Sequence, residues 1–230
     1  GIELFGGTVD IRHMVSSRPQ GDGFDLDVGW RGTGQFLAVQ MDINGEEAIE
    51  MENRGEEPAA TPQTDFDIYN YTVIGSEQPS DGQRGAIFKS GGLGKLSHGI
   101  IASTTDAAVH IEGVESAQHG ENGDLQIEET LFFDNGSDGM TYFTLDEDAQ
   151  TTTFDPKTFF KDSSTGNLFG AAPGFTSPFD LGNPGWQPTA ENTTGVEAPP
   201  EGFDPTAVYR GAFAPSTPMW TEGWTAYPKN

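Results

Sequence analysis

The sequence predicts an all-β fold: a solenoid of stacked parallel coils, capped by a long irregular segment rich in glycine, proline and aromatic residues. Three observations carry this. The 230 residues include 31 glycines and 15 prolines and are only 34% hydrophobic, which suits short strands joined by many turns better than a helical bundle. The chain also matches itself. Gly1-Ile2-Glu3-Leu4 returns as Gly23-Phe24-Asp25-Leu26, and Gly85-Ala86-Ile87-Phe88 is answered by Ala107-Ala108-Val109-His110, both 22 residues later. A repeat of this length is the mark of a solenoid, in which each coil rests on its neighbours. Third, short runs rich in Val, Ile, Phe and Tyr recur between Gly, Asn, Asp and Ser punctuation.

In chain order, strands are expected at 9–15, 35–41, 67–74, 85–89, 95–102, 107–111 and 125–133. Helical periodicity is poor; the best helical run, 45–51, is broken by Gly55 and Pro58 and reads as an acidic excursion from the coil. A two-sheet sandwich is the structural alternative, disfavoured by the scarcity of Asn-Gly and Asp-Gly hairpins. The coils are expected over 1–133. From Asp134 onward Gly, Pro, Thr and Asp dominate, yet Phe154, Phe159, Phe160, Phe169, Phe175, Phe179, Trp186 and Phe203 are spaced along the segment. Disordered chains are poor in aromatics, so residues 134–230 are expected to pack on the side of the coil. Trp220 and Trp224 are expected to cover its last turn or to form an interface, because an open coil exposes core and strand edge.

The formal charge of −25 comes from 36 acids against 11 bases. Nucleic-acid binding is excluded on this ground, since phosphate contacts need clustered Lys and Arg. Attraction to anionic membranes fails likewise, and no apolar stretch is long enough for membrane insertion. The acidity has two readings: bound hard cations such as calcium, or a solvated surface suited to a high-salt habitat. With no cysteine, disulfides, thiolate zinc sites and cysteine nucleophiles are excluded. The chain starts at Gly1 without a methionine, which points to a processed or partial chain.

The strongest constellation is Glu3, Asp22, Asp25 and Asp27. In a strand Asp25 and Asp27 point to one side, and the 22-residue register stacks Glu3 on Asp25 at about 4.8 Å. Stacked like charges are unfavourable unless a cation or Arg31 neutralises them. Calcium fits an all-oxygen set of irregular geometry; the competing reading is turn carboxylates that accept from backbone N–H groups, salt-bridged to Arg12 or Arg31. Glu46, Glu47, Glu50 and Glu52 read as a solvated face. Carboxylate pairs also serve glycosidases and lyases, with Glu3, Asp25 and Asp27 as the only plausible actors and Arg12, Arg18 and Arg31 as the local cations. His13, His98, His110 and His119 lack metal-ligand spacing, Ser16-Ser17 lacks a nucleophile elbow, and Gly91-Gly92-Leu93-Gly94-Lys95 lacks phosphate-loop spacing. Asn70, Asn135 and Asn192 begin N-glycosylation sequons. Trp186, Trp220 and Trp224 are residues that stack on sugar rings or plug a fold.

Gly1 to Val9 and Gly21 to Phe36, together with Tyr209-Arg210-Gly211-Ala212-Phe213 and Trp220-Thr221-Glu222-Gly223-Trp224-Thr225, resemble the C-terminal part of a largely uncharacterised family of secreted bacterial right-handed parallel β-helix proteins. Asn70 to Gly75 falls where those proteins have a similar strand. The resemblance implies the right-handed coil and a secreted, extracellular or cell-surface address, and it implies no reaction. In that family further coils precede the first motif, so either such coils or a partner is expected to cover Gly1 to Thr8. The function expected from all this is a non-catalytic structural or adhesive protein, self-associating head to tail through its first coil into filaments. The alternative is a polysaccharide lyase or hydrolase, or a glycan-binding module.

Overall fold

The computed structural model describes residues 1–77 and 82–227. The chain winds as a right-handed parallel β-helix. The first coil holds β1 (Ile2–Phe5) and β2 (Ile11–Ser17), the second β3 (Phe24–Asp27) and β4 (Thr33–Gln40), and the third β5 (Glu47–Glu52) and β6 (Asp65–Ile74). The fourth holds β7 (Arg84–Lys89), β8 (Leu93–Ser97) and β9 (Ile100–Ala102). The fifth holds β10 (Ala107–Ile111), helix α1 (Val114–Asn122), β11 (Leu125–Glu128) and β12 (Leu131–Phe133). Then follow β13 (Phe143–Leu145), α2 (Pro156–Phe160) and β14 (Leu168–Phe169). Among the described residues the first sheet stacks β1-β3-β5-β7-β10-β13, and the second holds the remaining eight strands, all pairs parallel.

Inward residues alternate with outward ones, as period-2 strands require. Phe24, Leu26, Ile49, Met51, Ala86, Phe88, Val109 and Ile111 fill the core from the first sheet; Leu37, Val39, Ile68, Tyr71, Val73, Leu96, Ile101, Ile127 and Phe132 fill it from the second. Glycine at position 23 is forced by close approach: a Cβ there would strike the Ala48 carbonyl and the Val39 side chain.

The second sheet bends at a corner built from residues in the left-handed region: His13 (φ 54°), Phe36 (61°), Asn70 (53°), His98 (56°) and Glu129 (49°) stack coil on coil. L-residues pay about 1–2 kcal/mol for this conformation. Contacts to the C-terminal segment offset that along the same line. The Arg12 guanidinium donates to the Gly202 carbonyl, Asp204 N–H donates to Gln35 Oε1 at 2.8 Å, and Asn70 Nδ2 donates to the carbonyls of Ala207 and Tyr209 at 3.2 and 2.7 Å. His98 Nε2 meets the Glu197 carbonyl at 2.7 Å, and Arg210 pairs with Glu129 at 2.8 Å. Ring contacts of Tyr69 with Phe203 and of Phe213 with Trp220 complete the strap.

Several expectations need correction. The segment 45–51 is not a helix or an excursion, because Ile49 and Met51 enter the core as β5 between β3 and β7. Its glutamates are only in part a solvated face: Glu46 is exposed and Glu52 half-buried, but Glu47 and Glu50 are each 8% exposed. The second self-match is out by one: Ala86 lies beside Val109, 23 residues on, whereas the first is right, with Ile2 beside Phe24. The runs 95–102 and 125–133 each split in two, at His98 and at Glu129. The coil does not stop at 133, since β13 and β14 extend both sheets, so the irregular segment follows Phe169. Its Phe175, Phe179 and Trp186 pack on the flank of the coil as expected. Trp220 and Trp224 do not cover the last coil. Trp220 stacks on Phe213 and meets His13 of the first coil edge-on, and Trp224 stacks on Trp220. The last coil is covered by α2 instead, where Phe160 packs on Phe143 at 5.2 Å and Phe154 packs beside it.

Candidate functional site

The outer face of the first sheet carries the acidic residues. Phe24-Asp25-Leu26-Asp27 and Ile49-Glu50-Met51-Glu52 have the same alternation, so each places two carboxylates outward when its apolar residues face in. The register sets Glu3 beside Asp25 and Asp25 beside Glu50. Asp22, just before β3, accepts from the Glu47 backbone N–H at 3.1 Å and so lies against the next coil. Two groups result, Asp22 with Asp25 and Glu50, and Asp22 with Glu46 and Glu47, each offering carboxylate oxygens within 4.8 Å of one another.

Asp25, Asp27, Glu47 and Glu50 on this face hold their protons more tightly than free carboxyls do. Burial, then the charges of Glu50, Asp22, Glu3 and Asp27, push the Asp25 carboxyl up to about 7. Its Oδ1 is buried and meets no hydrogen-bond donor. Burial also raises Asp27 and Glu50, the latter against the pull of Lys89. Glu47 is raised by burial and by its hydrogen bond with Asp22, which together outweigh Arg84. The cations beside the cluster come from the fourth coil. Lys89 reaches Glu50 at 2.7 Å and Glu52 at 3.2 Å, and Arg84 bridges Glu47 and Asp106 at 2.9 Å each.

Of the residues singled out from sequence, Asp22 and Asp25 come together. Glu3 extends the stack as an exposed residue, and Asp27 lies further along β3; both fall outside the two groups. Glu46, Glu47 and Glu50 are the partners that the reading missed, although the Ile49 to Glu52 alternation was a usable signal. Arg12 does not neutralise the cluster, since it sits on β2 and reaches the strap, and among the described residues Arg31 forms no ion pair with it; Lys89 and Arg84 take that part. The donor set is all oxygen, crowded and partly unpartnered, so these residues fit a divalent cation such as calcium.

The sequons fare unevenly. Asn70 and Asn135 are fully buried with their amides bonded to backbone, so on the folded chain neither accepts a glycan. Asn192 is half-buried and donates to the Ala172 carbonyl. No histidine joins a metal-holding group among the described residues. His98 and His110 are buried in hydrogen bonds, to Ser97 and Glu197 and to Thr144, and burial lowers both pKa values. The glycines at 91–94 belong to a coil corner. No helix among the described residues is long and apolar enough to cross a membrane.

No curated protein and no solved structure matches the chain. The family described as the pectate-lyase like beta helix domain matches residues 1–225, nearly the full length, and the chain belongs to that family.

Proposed function

We propose that this chain is a non-catalytic structural or adhesive module of the cell surface or extracellular space, whose acidic sheet face holds calcium. The observation that carries the reading is the convergence of Asp22, Asp25 and Glu50 on one point of a rigid sheet, with an unpartnered oxygen on Asp25. A cation there would relieve the like-charge repulsion that raises the Asp25 pKa and tie adjacent coils together. An extracellular address suits this use, because weak calcium sites fill only where the free ion is abundant, at about 10⁻⁴–10⁻³ M. Head-to-tail association through the first coil belongs to the same reading, supported by Phe5 at 67% and Val9 at 55% exposure. Thermal melting with calcium and with chelator tests the cation; calcium should raise the melting temperature, and an unchanged melt counts against it. Sedimentation over a range of concentration and salt tests the association, which strictly monomeric material would refute.

A second reading, a lyase or hydrolase of acidic polysaccharide, is favoured by the family description and by Asp25. A carboxyl titrating at about 7 suits proton transfer at neutral pH. Incubation with a glycan panel, followed by ultraviolet absorbance of unsaturated products and by reducing ends, separates the two: turnover abolished by Asp25→Asn favours the enzyme, and no turnover favours the module.

A further inference from the structure

Away from the acidic face, two adjoining cavities of 360 and 550 Å³ open between the second sheet and the C-terminal strap, with Arg18 and Asp42 in the walls of both. Buried polar atoms are normally paired, yet three that have no partner among the described residues border this one groove: Arg18 Nε, Gln40 Oε1 and the Tyr227 hydroxyl. Gln40 is 1% exposed, and its amide nitrogen is already held by the Pro178 carbonyl at 2.9 Å, so only its oxygen is left without a partner. Among the described residues Arg18 has one ion pair, to Asp42 at 3.3 Å. On the rim, Trp224 lays one face on Trp220, with ring centroids 5.9 Å apart, and remains 61% exposed.

This is a donor, an acceptor and a hydroxyl that can do both, beside an open aromatic face. We propose that the groove binds a neutral sugar unit of a glycan. The ring would stack on Trp224, whose apolar face suits the C–H side of a pyranose. Its hydroxyls would accept from Arg18 and Tyr227, which side-chain rotation turns toward the ligand, while Gln40 stays anchored to Pro178 in the floor. The wall charges exclude an anionic ligand: Arg18 is offset by Asp42, and Glu77 borders the first cavity. A uronate would meet net repulsion there, whereas hydroxyls need no charge. The site is distinct from the acidic cluster and needs no cation.

Tryptophan fluorescence and saturation-transfer NMR, in chelator, with cellobiose, mannobiose, galactobiose and xylobiose as probes and digalacturonate as the charged control, test it. At least one neutral disaccharide should bind with a Kd of about 1 mM. Trp224→Ala should abolish that binding, and Tyr227→Phe, which removes one oxygen, should weaken it about 3- to 10-fold. The melting temperatures of both variants serve as the control for folding. No binding by any neutral probe, full-strength binding in either variant, or tighter binding of digalacturonate than of every neutral probe would overturn the proposal.

Discussion

The acidic face of the first sheet and the corner of the second are built on the same coils and treat their outward side chains in opposite ways. At the corner Gln35, Asn70 and Thr72 are buried under the strap and bonded to its backbone, and the charged Glu129 is met by Arg210 of the strap. On the first three coils of the first sheet the outward residues are mainly carboxylates, and among the described residues no strap bonds to them. The chemistry of the strap explains the division. A backbone that lies across a strand edge offers both N–H and C=O groups, which amides satisfy together. Carboxylates only accept, so carbonyls laid over them would repel them and strip their water. The covered surface is therefore amide-rich and structural, and the bare one is free for ions.

Substitutions sharpen this contrast. The largest effect is expected at Asn70, where Asn70→Ala removes the bonds to Ala207 and Tyr209 and puts a Cβ without compensation at φ 53°. Loss of about 3 kcal/mol in denaturant unfolding is expected, and protease should cut near residues 202–211 first. If the strap is instead held by its aromatic contacts alone, the variant will unfold like the parent. On the bare face, Lys89→Met leaves Glu50 and Glu52 without their shared cation and should cost about 2 kcal/mol, less in high salt or with calcium. Asp25→Asn should act in the opposite direction. In chelator it removes a like charge from the stack and stabilises by about 1 kcal/mol, and with calcium the sign should reverse.

The same carboxyl also sets a pH slope. Folded Asp25 keeps its proton to about 7, while the unfolded chain releases it in the ordinary carboxylate range near about 4. Between those values the folded state binds more protons, so in chelator the contribution of Asp25 to stability is full at the acid end and falls as pH rises through the window. Melts at a series of pH values should show a shallower decline in Asp25→Asn than in the parent; equal slopes would mean that Asp25 is not the group responsible.

The legible parts were those with a local signature. Gly-apolar-acid-Leu at 1–4 and 23–26 gave the true stacking of Glu3 on Asp25. The later match slipped by one residue because Ala, Ile and Val are interchangeable in a core, while a one-residue slip turns every side chain over. Strand β5 was hidden by the four glutamates within 46–52, although Ile49 and Met51 alternate as Phe24 and Leu26 do. Helix α1 was hidden by a weakly amphipathic sequence, though Gly123 marks its end in the left-handed conformation. The place of Trp220 was not readable, because it depends on a contact with His13 more than two hundred positions away in the chain. The same holds for the cation cluster: Asp22 and Asp25 are neighbours in sequence, but the loop to Glu50 has no fixed length, so only the folded coil brings the third carboxylate in.

The central claim is that the uncovered acidic face takes a divalent cation where Asp22, Asp25 and Glu50 converge. Isothermal titration of calcium into the chelator-stripped parent protein and into Asp25→Asn tests it directly. A saturable binding event in the parent that disappears in the variant is the predicted result; no saturable heat in the parent, or the same isotherm in both proteins, would contradict it.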